Sequence, residues 1–361
     1  MNPSPAASAP HTSDGGPLLQ RHPDGATLVE LLSAASAERG LLCHDADGRE
    51  TFRAYAQLLR EARQWLGGLQ ALGVRAGERV VLQVTDALAL WTALWACFLG
   101  GMVPVVVAVE AGHDPQHPTV KKLLDAWERL GRPWVLADDG LVSGVAGLAA
   151  GLRVAGLREV GGGAPGVVHR AAPDDVALML LTSGSTGQAK IVPLTHRNLL
   201  SMTAGTIQMN RFGAQDVTLN WMPLDHVGAL VFLGIMAVDL GCTQVHVPTD
   251  LLLRQPLRWL ELIERHRASI SWAPNFAFSL INNQAQALAQ RSFDLSSMRF
   301  LVNAGEQVGR ATARRFLTLL QAHGLPPDAL RPAFGMSETC SGITWSAGLT
   351  LEHLELEHEH G

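Results

Sequence analysis

The chain has 361 residues, 47% of them hydrophobic and 17% charged, so it can bury a large core and form two or three lobes. Its net charge of −5 argues against a nucleic-acid-binding protein, which usually displays a basic face. The four cysteines are scattered without a C-x-x-C pair, which excludes a zinc ribbon and favours a cytoplasmic protein.

Two stretches bear on targeting. Segment 1–25 is rich in Pro, Ser, Ala and Gly and lacks the apolar run of a signal peptide, so we expect a flexible leader or linker. Segment 87–109 is uncharged and long enough for a membrane span. Gly100, Gly101 and Pro104 interrupt it, so we predict a buried helix followed by a buried strand and no membrane span.

The first half of the chain alternates between helical and extended patterns. Helices are predicted over 27–39, with a capping box from Thr27 and Glu30, and over 53–72, 87–99 and 121–130. Strands are predicted as a hairpin over 41–52 and over 79–84, 103–109 and 134–137, whereas 140–170 is expected to be an irregular connection. This alternation predicts an α/β fold with stacked, largely parallel sheets flanked by helices.

A polar loop, TSGSTGQAK, joins predicted strands at 176–181 and 191–192, the second closed by Pro193. Inward-turned glycine N–H groups form an anion nest, and hydroxyls and a lysine suit phosphate. The sequence therefore predicts a phosphate-binding loop, with a polar surface turn as the alternative. It is not a Walker A motif, because Ile191 follows the lysine. The loop residues in question are Thr182, Ser183, Gly184, Ser185, Thr186, Gly187 and Lys190.

Several later stretches are further candidates for structural or functional roles. Thr195 is expected to cap a helix, with His196 as its structural neighbour. The segment Asp225-His226-Val227-Gly228 stands between a strand and an apolar helix over 230–240, where side chains commonly face a ligand. The remaining turns are Trp272 to Phe276 after a strand at 268–272, Asn303-Ala304-Gly305-Glu306 after a strand at 299–302, and Phe334-Gly335-Met336-Ser337-Glu338-Thr339.

Taken together and in this order, TSGSTGQAK, NAGE and FGMSET resemble the adenylate-forming superfamily, which includes acyl-CoA synthetases, fatty acyl-AMP ligases and peptide-synthetase adenylation domains. The resemblance extends to LGVRAGERV at 72–80 and GMVPV at 101–105. Phe334 and Ser337 replace the family's Tyr and Thr. The resemblance implies a large N-terminal core over 26–361, with sub-lobes at about 26–175 and 176–350. This core would be truncated before the mobile lid domain.

The resemblance also implies roles for individual residues. The loop 182–187 and Lys190 would hold the β- and γ-phosphates of ATP, Ser337 the α-phosphate and Glu338 a Mg²⁺ ion. The adenine site would comprise Asn303, Ala304, Gly305, Glu306, Phe334, Gly335 and Met336. His226 would lie near the substrate carboxylate, and the acyl site would comprise Asp225, Val227, Gly228, Trp272, Asn275 and Phe276. Helix capping is the alternative role for Asp225 and His226, and core packing for Trp272 and Phe276.

The implied reaction is ATP-dependent activation of a carboxylic acid to an acyl-adenylate, with Lys190, His226, Ser337 and Glu338 as catalytic residues. PLDH at 223–226 is closer to the P-L-x-H of fatty acyl-AMP ligases than to the F-D-x-S of α-amino-acid domains, which favours a fatty or other non-α-amino acid. Transfer to the phosphopantetheine thiol of an acyl carrier protein, in a loading domain of a polyketide or peptide synthase, is expected. An acyl-CoA synthetase using CoA and a binding module without turnover are the alternatives.

Overall fold

The computed structural model describes residues 16–110, 112–182 and 189–352. Its strands are β1 (Gly40–His44), β2 (Glu50–Ala54), β3 (Arg79–Gln83), β4 (Val103–Val106), β5 (Trp134–Ala137), β6 (Val154–Gly156), β7 (Val176–Thr182), β8 (Lys190–Thr195), β9 (Val217–Asn220), β10 (Thr243–His246), β11 (Ile270–Ala273), β12 (Phe300–Asn303), β13 (Leu330–Met336) and β14 (Ser341–Trp345).

The described helices are α1 (Leu28–Ala34), α2 (Tyr55–Ala71), α3 (Ala87–Leu99), α4 (Pro118–Arg129), α5 (Val142–Ala146), α6 (Leu157–Gly161), α7 (His196–Asn210), α8 (Met236–Leu240), α9 (Thr249–Arg254), α10 (Arg258–His266), α11 (Asn275–Asn282), α12 (Ala285–Leu288) and α13 (Arg310–Gln321). A π-helical segment, Gly228–Ile235, runs directly into α8, and 3₁₀ turns lie at Asp139–Leu141 and Ser337–Thr339.

The strands form two sheets. The larger has eight strands in the order β14-β13-β12-β11-β9-β10-β1-β2, and the smaller has six in the order β6-β5-β3-β4-β7-β8. Antiparallel pairing occurs in the hairpins β1–β2, β7–β8 and β13–β14, and the other pairs of the described strands are parallel. The predicted α/β fold with largely parallel sheets is confirmed.

The two sheets do not follow the expected sub-lobe boundary at 175/176. The first hairpin, β1–β2, belongs to the larger sheet through the parallel pair β1–β10. The hairpin β7–β8, from the second half of the chain, belongs to the smaller sheet through β4. The two sheets are therefore each built from both halves of the sequence.

Local signals explain several helix boundaries. Thr27 caps α1 by accepting from the Val29 N–H, and Glu30 completes the capping box, but the helix ends at Ala34 because Ala35 is extended. Helix α3 has the predicted bounds, and its residues 90–99 are buried between the sheets. Among the described residues, none of the helices is both long and apolar enough to cross a membrane.

Two expectations were wrong. Segment 140–170 is not a loose connection: it contains α5, β6 and α6, and β6 pairs in parallel with β5. Its Gly/Ala-rich sequence concealed a three-residue edge strand. Pro193 does not close β8 but lies inside it, opposite Met179. A proline fits there because β8 is an edge strand, where one N–H can be dispensed with.

Hydrogen bonds of buried polar side chains join elements that are distant in the sequence. The Tyr55 hydroxyl donates to the Cys242 carbonyl at 2.7 Å and accepts from Gln244 Nε2 at 2.9 Å. Buried His196 accepts a hydrogen bond on Nδ1 from the Leu28 N–H at 3.2 Å. Burial lowers the pKa of His196 to about 4, against the opposing carboxylates of Asp175 and Glu30. His196 is thus a structural residue, as its place beside the Thr195 cap predicts.

Candidate functional site

A cleft of about 550 Å³ opens where strands of both sheets end. The smaller sheet contributes the end of β7 and the start of β8, and the larger sheet contributes the ends of β12 and β13. In such α/β folds ligands bind at the carboxyl ends of the strands. The predicted residues that line the cleft are Thr182, Lys190, Asp225, His226, Val227, Gly228, Trp272, Ala304, Gly305, Phe334, Gly335, Met336, Ser337 and Glu338.

The described ends of the predicted phosphate loop stand at one side of this cleft. Thr182, the last residue of β7, is paired with Lys190, the first residue of β8. Lys190 is exposed, so its ammonium group remains available to an anion. The predicted phosphate-binding residues Ser183, Gly184, Ser185, Thr186 and Gly187 lie outside the described residues.

The turn after β13 forms the opposite wall. The strand pairing shifts register between Phe334 and Gly335, which kinks the chain at this point. Gly335 has no room for a side chain, because a Cβ there would lie against the backbone carbonyl of Ser341. Phe334 is 60% exposed and presents its ring to the cleft. Exposed Glu338 and half-buried Ser337 follow in the 3₁₀ turn and offer oxygen ligands.

His226 lies on the cleft wall before the π-helical segment. Its Nδ1 accepts a hydrogen bond from the Gly228 N–H at 3.2 Å, so the neutral ring carries its proton on Nε2. The protein packed around the ring disfavours the charged form and lowers the pKa of His226, although the carboxylate of Asp225 opposes this shift. His226 is therefore a neutral hydrogen-bond donor at neutral pH.

Trp272 forms the floor of the cleft and constrains two glycines. Its ring lies 4.7 Å from the His226 ring, between centroids. A Cβ at Gly228 would lie 2.7 Å from Trp272 Cη2 and closer still to two other ring carbons. Gly305 has a φ of +92° and would place a Cβ 3.5 Å from the same ring. Both glycines thus allow the backbone to pass directly beside a large aromatic residue.

Four predicted residues do not line the cleft. The Asn303 amide donates to Asn275 Oδ1 at 3.2 Å, and that oxygen also accepts from the Gly309 N–H at 3.0 Å. Glu306 accepts a hydrogen bond from the Phe276 N–H at 2.6 Å, at the start of α11. Asn275, Phe276, Asn303 and Glu306 therefore brace the turn after β12 against α11. Ala304 and Gly305 form the part of this turn that lines the cleft.

Sequence reasoning missed several residues of the cleft. Phe232 and Trp345 pack with ring centroids 5.1 Å apart and extend the aromatic wall beyond Trp272. Lys122 of α4 lies 3.9 Å from Asp225, between Nζ and Oδ2, and partly neutralises that carboxylate. Phe232 resembles a core residue of an apolar helix, and Lys122 belongs to a distant helix, so no local signal identified either.

The residues that are present fit a nucleotide triphosphate and Mg²⁺. Carboxylate and hydroxyl oxygens, as on Glu338 and Ser337, are the ligands that Mg²⁺ prefers. An exposed lysine at one end of the cleft suits phosphate, and an exposed aromatic ring with adjacent glycines suits a flat base. Cationic, hydroxylic, carboxylate and aromatic groups from both sheets meet in one cleft, which is the arrangement of an adenylate-forming enzyme core.

Comparison with known proteins supports this class. The sequence profile of the AMP-binding enzyme family matches residues 113–359, so the chain belongs to that family. The nonribosomal peptide synthetase btyA of Aspergillus terreus is 32% identical over 88% of this chain and 36% of its own length. The chain thus spans about a third of the length of such curated relatives.

Two solved adenylation-domain structures share both fold and sequence with the chain. McyG A-PCP complexed with phenylalanyl-adenylate has a TM-score of 0.90 and 50% identity, covering 92% of this chain and 54% of that one. The adenylation domain of a keto acid-selecting peptide-synthetase module, bound to keto acyl adenylate, has a TM-score of 0.87 and 40% identity, covering 92% and 61%. The described fold is therefore that of the N-terminal core of such domains.

Proposed function

We propose that this chain binds ATP and a carboxylic acid in the cleft and joins them as an acyl-adenylate. The observation that carries the proposal is the convergence of Thr182 and Lys190 with Gly305, Ser337 and Glu338 on one cavity. The carboxylate attacks the α-phosphorus and pyrophosphate leaves, so the protein's task is to position both groups and to offset negative charge.

Each side chain has a distinct part in this reaction. Lys190 holds the terminal phosphates with its point charge, and the Ser337 hydroxyl donates to the α-phosphate. Glu338 holds Mg²⁺, which, when bound, supplies positive charge against the phosphates. His226 donates from Nε2–H to the acid's carboxylate and keeps it in place, because its Nδ1 is already engaged by Gly228.

We further propose that the substrate is an aromatic acid without an α-ammonium group, such as an aryl keto acid. The cleft has an aromatic wall made of Trp272, Phe232 and Trp345, against which an aryl side chain can pack. Asp225, the carboxylate beside His226, is paired with Lys122 and so is poorly suited to an ammonium group. The phenylalanyl and keto acyl adenylates named for the two solved relatives support an aromatic and a keto acid, respectively.

The acyl group would then pass to the phosphopantetheine thiol of a carrier protein in a larger cytoplasmic synthetase, where this chain acts in a loading or elongation unit. Relatives that are peptide synthetases about three times as long as the matched region support a carrier protein rather than CoA as the acceptor. A fatty acid as the substrate and an acyl-CoA synthetase remain the competing assignments.

Pyrophosphate exchange by the full-length protein tests the substrate. We expect phenylpyruvate to support exchange well above phenylalanine and a medium-chain fatty acid. Exchange with phenylalanine alone would contradict the absence of an ammonium site, and exchange with the fatty acid alone would contradict the aromatic pocket.

Calorimetry with ATP tests the site in the present chain. Lys190→Ala and Glu338→Ala should each weaken binding by about ten- to hundredfold, since a hydrogen bond to a charged group contributes about 1.5–3 kcal/mol. Lys121→Ala, an exposed lysine of α4 outside the cleft lining, is the matched control and should bind ATP as the parent does. Equal binding by all three variants would refute the proposed site.

A further inference from the structure

A second group of chemically capable side chains lies away from the cleft, where the hairpin β1–β2 meets α10. His44 is the last residue of β1, and Glu50 is its direct cross-strand partner in β2. His266 is the last residue of α10. One ligand atom from each of the three lies within 4.8 Å of the others. None of these residues lines the nucleotide cleft.

The distances within this cluster match those of a metal site. Glu50 Oε1 is 3.7 Å from His44 Nε2 and 3.5 Å from His266 Nε2. Two ligand atoms bound to one tetrahedral zinc ion, each at about 2.1 Å, stand roughly 3.4 Å apart. Small side-chain adjustments would therefore bring all three atoms onto one ion.

The ring nitrogens that face Glu50 also lack hydrogen-bond partners among the described residues. The His44 side chain is fully buried, and its Nε2 and that of His266 have no hydrogen-bond partner among the described residues. A buried polar atom without a partner costs about 1–3 kcal/mol, so such atoms call for an explanation. Both nitrogens approach the same carboxylate oxygen, and a shared ion between the three would satisfy them.

We propose that His44, Glu50 and His266 form a binding site for a divalent transition-metal ion, with zinc as the best fit. Two imidazoles and one carboxylate are a common set of three zinc ligands, with a water in the fourth position. The ion would fasten the first hairpin of the chain to α10, and hence two distant parts of the sequence. The site lies apart from the cleft and is independent of the proposed adenylation.

The surrounding charges both favour and oppose binding. Burial lowers the pKa values of His44 and His266, as do the nearby cations Arg258 and Arg265, whereas Glu50 opposes the shift. The rings are therefore neutral at pH 7 and keep the lone pairs that a metal requires. Arg265 Nη1, however, lies 3.1 Å from Glu50 Oε1 and competes for the carboxylate. Its side chain is 56% exposed, so it can move aside.

Zinc calorimetry and the visible absorption of the cobalt(II)-loaded protein test this site. Because His353, His358 and His360 near the C-terminus can also bind metal, every titration is made with these three changed to Gln. We expect one ion per chain, a tetrahedral cobalt spectrum and a Tm that rises with zinc concentration. Glu50→Gln and His266→Gln, both at partly exposed positions, should weaken zinc binding by about tenfold or more.

Two further variants make the test specific. Arg265→Gln removes the competing cation and should tighten zinc binding severalfold. His117→Gln removes an imidazole from the partly exposed pair that His117 forms with Glu110, 3.5 Å apart, and should leave zinc binding unchanged. Absence of a bound ion, or equal zinc affinity in the parent, Glu50→Gln and His266→Gln, would overturn the proposal and leave two neutral imidazoles beside the Arg265–Glu50 ion pair. Neither result would bear on ATP binding in the cleft.

Discussion

Replacing Gly228 by Ala tests the packing that shapes the proposed acyl pocket. The new Cβ would lie 2.7 Å from Trp272 Cη2, and two further ring carbons would be closer. Carbon atoms pack at about 3.5–4.0 Å, so the ring must move by roughly 1.5 Å to clear the nearest of these carbons. Trp272 is 5% exposed and packs against the His226 ring, which leaves the cleft as its main direction of escape.

We expect Gly228→Ala to cost about 1–3 kcal/mol of unfolding free energy, as overpacking of a dense core does. The displaced ring should also weaken binding of an aryl acyl-adenylate analogue by about tenfold or more, because a misfit of one methylene in an apolar pocket costs about 1–3 kcal/mol. AMP binding should change little, since the nucleotide would contact the turn at 334–338 instead.

Urea unfolding and calorimetry with the two ligands measure these effects. Gly205→Ala is the matched control: Gly205 lies in α7 with open space where a Cβ would stand, so this variant should be more stable by about 0.5–1 kcal/mol. If Gly228→Ala unfolds at the same urea concentration as the parent and binds the acyl-adenylate analogue equally well, Trp272 does not constrain the pocket as argued.

Two further predictions concern the buried polar groups. His196 has a folded-state pKa of about 4, below its unfolded value near 6.5, so its contribution is fully present above pH 6.5 and is lost as pH falls toward 4. The loss of unfolding free energy should reach roughly 3 kcal/mol. The acid unfolding curves of the parent and His196→Gln should therefore differ in their pH dependence. Parallel curves would contradict the structural role of His196. Tyr55→Phe removes the hydroxyl that binds Cys242 and Gln244 and should cost about 1–3 kcal/mol in urea unfolding; an unchanged midpoint would show that these bonds contribute nothing.

Local sequence patterns are sufficient to predict most helices and strands, but they do not predict which strands pair in the sheets. The bounds of α3 and β5 follow from apolar runs bounded by Gly and Pro, and the Thr27 and Thr195 caps follow from capping-box spacing. Pairing of β1 with β10 joins residues about 200 positions apart. No periodicity within either segment carries that information, because the pairing depends on how the whole sheet assembles.

For the cleft, too, the sequence predicts local turns but not contacts that depend on long-range strand pairing. A short motif predicts Ser337 and Glu338 as cleft residues, because it fixes the turn in which they lie. The family resemblance places Asn303 at the adenine site, but strand alternation argues against this. Val302 and Ala304 line the cleft, so the residue between them faces the other side. Trp345 enters the cleft only because β14 folds back on β13, with Trp345 opposite Ala333. Its role depends on a pairing that the motif does not contain.

The interleaved sheets have a consequence for biosynthesis. Strand β1 leaves the ribosome early, yet its parallel partner β10 is made about 200 residues later. At translation speeds of about 5–20 residues per second, β1 can pair with β2 early, but its other edge stays unpaired for roughly 10–40 s. Hydrophobic strand edges left open for so long attract other chains, so production of this domain should depend on chaperones that bind the emerging first hairpin.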